Sequence, residues 1–274
     1  MRSVDAGRST SRIDLLATEE PMEIRLRRGT TVEPVVVTMR TPGADFELAA
    51  GFLFAEGLVQ SRQEIGRIEY CIDCEDAEQR YNIVTVAIKL TTGGWQPAVL
   101  GRHFAMTSAC GLCGKERLDQ IERRGIAPLG EGPVVGWETI VSLPEKLRGA
   151  QGLFDSTGGL HAAALFTAEG ELLAVREDVG RHNAVDKVIG WAFLEGLLPL
   201  DRHILMVSGR SSFEIAQKAL AAGIPMLCAV SAPSSLAVDL AQRFGMTLVG
   251  FLRGERFNVY AGAGRIPAGG KGDV

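Results

Sequence analysis

The 274-residue chain reads as an α/β protein whose mixed or parallel sheet carries helices on its faces, preceded by a smaller α+β unit. Two observations predict this. In the second half, short apolar runs alternate with amphipathic stretches: "HILMVS" before a helical pattern at 212–222, "PMLCAVS" before another at 234–244, then "MTLVGFL". Such alternation buries a sheet between helices. Upstream of about Leu100, by contrast, strands dominate and one helix interrupts them.

The elements follow in order. Residues 1–20 are polar and read as a flexible tail. "VEPVVVTMR" (Val32–Arg40) is a strand, and Thr41-Pro42 then opens a helix with proline at the first position. Phe46, Ala49, Ala50, Leu53 and Phe54 recur at helical spacing, and Gly57 is the stop. "EIGRIEYCI" and "YNIVTVAIKL" are further strands, the second alternating cleanly. Leu118 and Ile121 suit a helix ending near Gly125, and "APLGEGPVVGW" a linker. "LHAAALF" and "ELLAVRE" flank Glu169-Gly170 as a hairpin, and Ala184, Val185, Val188, Ile189, Ala192 and Phe193 form the stripe of the next helix. The expected division is 21–135 for the N-terminal unit with a mobile Cys-x-x-Cys segment and 136–264 for the α/β domain, followed by a tail at 265–274.

Composition narrows the functional classes. Hydrophobic residues make up 46% and the net charge is −4, so there is no global attraction to nucleic acid and phosphate contacts must be local. No run of about 18 apolar residues exists to span a bilayer, and the first 20 residues lack a signal-peptide core. The expectation is a cytoplasmic protein without nucleic-acid or membrane partners.

Two strand-to-helix loops offer anion sites. "SGRSSFE" places Ser208, Arg210 and Ser211 at the end of a strand, with Ser211 and Glu214 at capping-box spacing. "SAPSSLA", beginning at Ser231, repeats the arrangement one unit later, and Arg253 and Arg256 follow the next strand. Each loop alone is most simply an ordinary capped turn; the pair suggests a phosphate-bearing ligand. "REDVGRHNAVDK" is dense in polar groups at the edge of a buried helix. His182 and Asp186 share a face there, and Glu177, Asp178, Arg181, His182 and Asn183 together could line a pocket.

Four of the five cysteines form two C-x-x-C pairs, Cys71/Cys74 and Cys110/Cys113. A four-cysteine zinc site is disfavoured because 35 residues lie between the pairs, beyond the roughly 15–20 usual for a ribbon. Cys71 and Cys74 then read as bystanders at a strand end, and Cys228 as a small buried hydrophobe. Cys110, at the threshold of a helix with Lys115 and Arg117 nearby, has the setting that stabilises a thiolate. The pair does not follow the first strand of a βαβ unit, as a thioredoxin-type pair would, so a mobile carrier segment fits better than a dithiol reductase.

The C-G-x-C-G segment, "GLHAAA", "EDVGRHNAVDK", "SGRSSFE", "AVSAPSSLAV" and "TLVGFLRGERFNVY" together resemble the formate dehydrogenase accessory sulfurtransferase family (FdhD-type), over about Thr31 to Gly262. The resemblance implies a cytidine-deaminase-like core with an added N-terminal unit, and typically a homodimer. It implies a carrier that takes persulfide sulfur from a cysteine desulfurase and passes it to a molybdenum bis(guanine dinucleotide) cofactor destined for formate dehydrogenase. That cofactor is cargo, and no tightly held metal of the protein's own is expected. By position, Cys110 matches the persulfide-bearing cysteine and Cys113 its neighbour. Phe251, Leu252, Arg253, Gly254, Glu255 and Arg256 match the cofactor-binding segment, with Leu252 and Glu255 the least suited to side-chain contacts.

The chemistry of deamination argues against that activity, because it needs H-x-E followed later by P-C-x-x-C. Here Ala162 and Ala163 follow His161, and the C-x-x-C precedes the histidine. The alternatives to a sulfur carrier are a zinc-stabilised guanine-nucleotide-binding module and a dithiol oxidoreductase.

Overall fold

The computed structural model describes residues 1–11, 13–71, 81–89, 118–119, 121–122 and 125–267. Cys74, Cys110 and Cys113 lie outside them, so the expectations for these thiols rest on sequence alone.

Within the expected N-terminal tail, β1 (Arg2–Asp5) and β2 (Arg8–Ser11) pair as an antiparallel hairpin. The small unit is a four-stranded sheet, ordered β4 (Thr31–Arg40), β3 (Glu20–Arg28), β6 (Ile83–Ile88), β5 (Ile65–Tyr70). Its inner strand β3 alternates Met22, Ile24 and Leu26, all buried, with Glu23, Arg25 and Arg27. That period of two puts one face against helix α1 (Asp45–Ala55) and leaves charges on the other. The helix starts later than Thr41-Pro42 predicts. Gly43 and Ala44 take positive φ values of 109° and 55°, and Thr41 is held outside the helix by Asp178 and Lys187. Gly57, at φ 74°, ends the helix as expected.

The second unit opens with helices α2 (Trp137–Gly149) and α3 (Gly152–Thr157). A six-stranded mixed sheet follows, ordered β12-β11-β10-β9-β7-β8. β7 (His161–Thr167) and β8 (Leu172–Asp178) form the predicted hairpin. β9 (His203–Val207), β10 (Met226–Ala229) and β11 (Thr247–Arg253) are parallel, and β12 (Arg256–Ala261) returns antiparallel to β11. Alternation along β9 divides the core. Leu205 and Val207 face α4 (Arg181–Leu194), α5 (Phe213–Ala221) and α6 (Ser235–Phe244), whereas Ile204 and Met206 face α2. The α/β class, the mixed sheet with flanking helices and the N-terminal α+β unit are all present.

Helix α2 is not foreseen in the sequence. Pro144 interrupts its pattern, yet Ile140, Leu143 and Leu147 still make a buried stripe. Arg265, the first residue of the expected C-terminal tail, is bonded into the fold. Arg265 donates to the carbonyls of Gly130, Glu131 and Gly245 and to Thr247 Oγ1, stapling the linker before α2 to the sheet.

The two units meet where α1 crosses α4. Gly51 and Gly190 face each other so closely that a Cβ on Gly190 would lie 1.8 Å from the Glu47 carbonyl oxygen. Arg176 on β8 pairs with Glu47 on α1, and the rings of Phe54 and Phe193 stack at 5.3 Å.

Candidate functional site

Parallel strands β9, β10 and β11 end at one edge of the sheet. Because β7 runs antiparallel to β9, its first residue His161 lies at that same edge, beside Asp178 at the end of β8. The N-terminus of α4 follows from β8. Topology therefore brings Arg181, His182, Ser208, Arg210, Ser211, Ser231 and the 251–256 hairpin to one edge of the sheet, the carboxyl ends of the parallel strands where α/β proteins place their ligand crevice.

Each loop is fixed by the backbone. Ser208 Oγ accepts from Ala162 N–H at 2.9 Å, while Ser208 N–H donates to Ala162 O. Gly209 sits against the His161 ring, where an added Cβ would meet Nδ1 at 3.5 Å. Arg210 is exposed. Ser212 rather than Ser211 is the residue before α5, so the capping box read at Ser211 and Glu214 does not form. Ser211 instead bridges to Pro233 in the next loop, and its carbonyl accepts from Ser234 N–H. Its hydroxyl is fully buried and has no hydrogen-bond partner. Ser234 is the true N-cap of α6, accepting from Ala237 N–H.

The β11–β12 hairpin joins these loops through Phe251 N–H, which donates to Ser231 O. Gly250 allows the approach, since a Cβ there would lie 3.0 Å from Pro233 and from the Tyr260 ring. Phe251 itself has φ 52°, a conformation a bulky residue adopts only where its surroundings impose it. It is exposed, and a register shift in the ladder accompanies it. Leu252 is buried in the core and Gly254, Glu255 and Arg256 form the exposed tip. Arg253 is also exposed, its Nε donating to Val230 O at 3.1 Å. The hairpin thus exposes an aromatic ring and guanidinium groups at the strand ends, but not Leu252.

The polar run at 176–187 divides into three jobs rather than lining one pocket. Glu177 accepts from the Leu153 and Phe154 N–H groups at the start of α3. Asp178, wholly buried, accepts from Thr41 N–H, Gly180 N–H and Asn183 Nδ2 and pairs with Lys187 Nζ at 2.7 Å. Lys187 also donates to Thr41 O, and Asn183 Nδ2 to Met39 O. This is a lock between β8, α4 and the segment linking β4 to α1. Only Arg181 and His182 remain for the cleft.

His182 Nε2 lies 3.1 Å from Ser212 Oγ and 4.0 Å from the Glu214 carboxylate. Asp186 does not orient it, because that carboxylate pairs with Lys218 Nζ at 2.6 Å. Burial, with the charges of Arg181 and Lys218, pushes His182 down to about 4. Burial and then Arg181 lower His161 as well. Both imidazoles are therefore neutral at neutral pH. A lowered folded-state value means that His182 contributes stability above its unfolded value near 6.5, lost as pH falls toward 4. Burial raises Asp186 to about 6, so its ionisation opposes folding as pH rises through the window from about 4 to 6. His182→Gln is expected to remove on the order of 2 kcal/mol of acid-induced destabilisation between pH 6.5 and 4. Urea melts at the two pH values, beside an NMR titration of His182, check this; a ring that titrates above 6 contradicts it.

Among the described residues no group of three or more His, Cys, Asp or Glu side chains is arranged to hold a metal ion. No helix among them is long and apolar enough to cross a membrane. Cys71, just past β5, is disulfide-bonded, and Cys228 is buried in β10, its thiol pushed up to about 12 by burial.

Fold and site thus define a class: a mixed α/β protein with backbone-fixed loops, exposed arginines and a strained phenylalanine gathered at the strand ends. The chain belongs to the FdhD/NarQ family, which it matches over residues 17–267. It is 53% identical over 264 residues to the sulfur carrier protein FdhD of Streptomyces coelicolor, covering 95% of this chain and 92% of that one. The Mycobacterium tuberculosis protein of the same name is 52% identical over 97% of this chain and 96% of its own length. The Sulfolobus acidocaldarius protein of that name is 44% identical, over 96% and 95%. A crystal structure of a putative formate dehydrogenase accessory protein from Desulfotalea psychrophila is similar at a TM-score of 0.74 and 27% identity, covering 97% of each chain.

Proposed function

We propose that the protein is a sulfur carrier that works through a persulfide on Cys110 and serves formate dehydrogenase as recipient. In the first step the Cys110 thiolate attacks the outer sulfur of a cysteine desulfurase persulfide. The desulfurase thiolate leaves and Cys110 becomes Cys110–S–SH. The cargo, a molybdenum bis(guanine dinucleotide) cofactor, is held at the cleft. Cys113 then attacks the inner Cys110 sulfur, expelling the outer sulfur as hydrosulfide for the cofactor and leaving a Cys110–Cys113 disulfide for reduction by an external dithiol. The protein acts in the cytoplasm as a homodimer in this reading.

Support for the nucleotide part comes from one observation: the segment 251–256, with Arg253 and Arg256 exposed, lies beside two strand-end loops, one of which exposes Arg210, and guanidinium groups suit phosphates. An aromatic ring held out at φ 52° suits stacking on a base. Membership of the FdhD/NarQ family and the name sulfur carrier protein FdhD borne by relatives support the sulfur part. Phe251→Ala is expected to weaken GDP binding by about five- to 150-fold, the loss of about 1–3 kcal/mol of stacking. Calorimetric titration with GDP reads it, and affinity within twofold of the parent rules the base contact out.

A further inference from the structure

The polar run that builds the unit lock leaves one charged group unused. The side chain of Arg181, first residue of α4, makes no hydrogen bond or ion pair among the described residues, and its Nε is buried without a partner. Nearby acids are committed. Asp178 belongs to Lys187, Asp186 to Lys218, and Glu177 to the N–H groups of α3. Glu214 stands beside His182. Arg181 is half-buried, and an Nε shielded from water without an acceptor carries a desolvation cost that an oxygen of a ligand would offset.

Its neighbours point the same way. His161 enters from β7 and His182 from α4, and Arg181 acts electrostatically on both rings. Neutral imidazoles add hydrogen-bonding capacity without a negative charge that would satisfy Arg181 internally. The Ser208–Ser212 loop closes the same corner: Gly209 lies on the His161 ring and Ser212 on His182. The buried Ser211 hydroxyl, also without a partner, belongs to that loop. Arg181 Nε and Ser211 Oγ, both without partners, thus lie on two elements that border one another through the His182–Ser212 contact. Arg210, Arg253 and Arg256, by contrast, are exposed on the cleft's rim.

We propose that Arg181, flanked by His161 and His182, seats a phosphate group inside the cleft, distinct from the rim arginines. The phosphate is either that of a bound nucleotide or a free inorganic one. The nucleotide alternative rests on the reading given under Proposed function. Planar, bidentate geometry makes arginine the suitable residue for such a group.

Titration calorimetry of the full chain tests this with four probes: GDP, guanosine, pyrophosphate and inorganic phosphate. Arg181→Gln is expected to weaken GDP and pyrophosphate at least tenfold, as loss of a charged hydrogen bond implies, and to leave guanosine unchanged. Its melting temperature should match the parent, since the side chain holds nothing in the fold, and Arg181→Lys should recover part of the affinity. Binding of pyrophosphate or phosphate that depends on Arg181, with no binding of GDP, would uphold this site while sinking the nucleotide reading. GDP binding that Arg181→Gln changes by less than twofold would overturn the site and leave that reading intact. Absence of binding by all four probes would also overturn it.

Discussion

Gly190→Ala is expected to destabilise the protein by about 3 kcal/mol or more, one of the largest effects of any single methyl group in this chain. The reason is geometric. At the α1–α4 crossing a Cβ on Gly190 would lie 1.8 Å from Glu47 O, and one on Gly51 1.9 Å from Asp186 O. Both obstacles are backbone, so no side-chain rotation relieves the clash and the helices must separate. Separation would in turn strain the Arg176–Glu47 pair and the Phe54–Phe193 contact. Urea denaturation followed by circular dichroism measures the loss. Gly149→Ala is the control, because that helical position is open to solvent with nothing within 4 Å; it should be neutral or mildly stabilising. A Gly190→Ala midpoint equal to the parent would show that the crossing is looser than described.

Asp178→Ala is expected to cost about 3–5 kcal/mol, the usual consequence of stranding a buried partner charge. Lys187 Nζ, nearly inaccessible, would lose its carboxylate, and Thr41 N–H, Gly180 N–H and Asn183 Nδ2 an acceptor. The contrast is Glu122→Ala at the solvent-exposed Arg243 pair, where water screens the charges and little stability is at stake. Equal denaturation midpoints for these two variants would refute the lock. The lock also has a functional side. Asp178 holds Gly180 and Asn183, which bracket Arg181 and His182 at the start of α4. Its loss should disturb both cleft residues, so nucleotide affinity should fall together with stability.

Much of the architecture is legible in the sequence, for reasons that vary by element. β9, β10 and β11 are short apolar runs, the first two followed by helices, and nothing local contradicts that pattern. β3 alternates just as clearly at Met22, Ile24 and Leu26, but its charged partners and its place next to a polar N-terminus hide it. Pro144 hides α2, whose stripe survives because tertiary packing outweighs the proline. At Thr41-Pro42 local helix signals lose to a distant demand: Thr41 is recruited by Asp178, Val179 and Lys187, more than a hundred residues away.

The candidate site divides along the same line. The strand-end loops and the 251–256 hairpin can be placed from sequence, since strand and helix order bring them to one edge. Which polar groups of "REDVGRHNAVDK" serve the fold and which the cleft is decided by partners remote in sequence. Glu177, Asp178, Asn183 and Lys187 are consumed by structure, and the unpartnered Arg181 stands out only once those partners are known. Ser211 illustrates the limit in the other direction: its spacing to Glu214 suggests a cap, whereas the backbone turns one residue later and buries the hydroxyl.

The most direct test of the central claim is intact-protein mass spectrometry of the full chain after incubation with a cysteine desulfurase and free cysteine, without reductant. The expected result is an added mass of one sulfur, removable by cyanide, absent from Cys110→Ala and retained in Cys113→Ala. An equal load of cyanide-labile sulfur on Cys110→Ala would contradict the persulfide assignment.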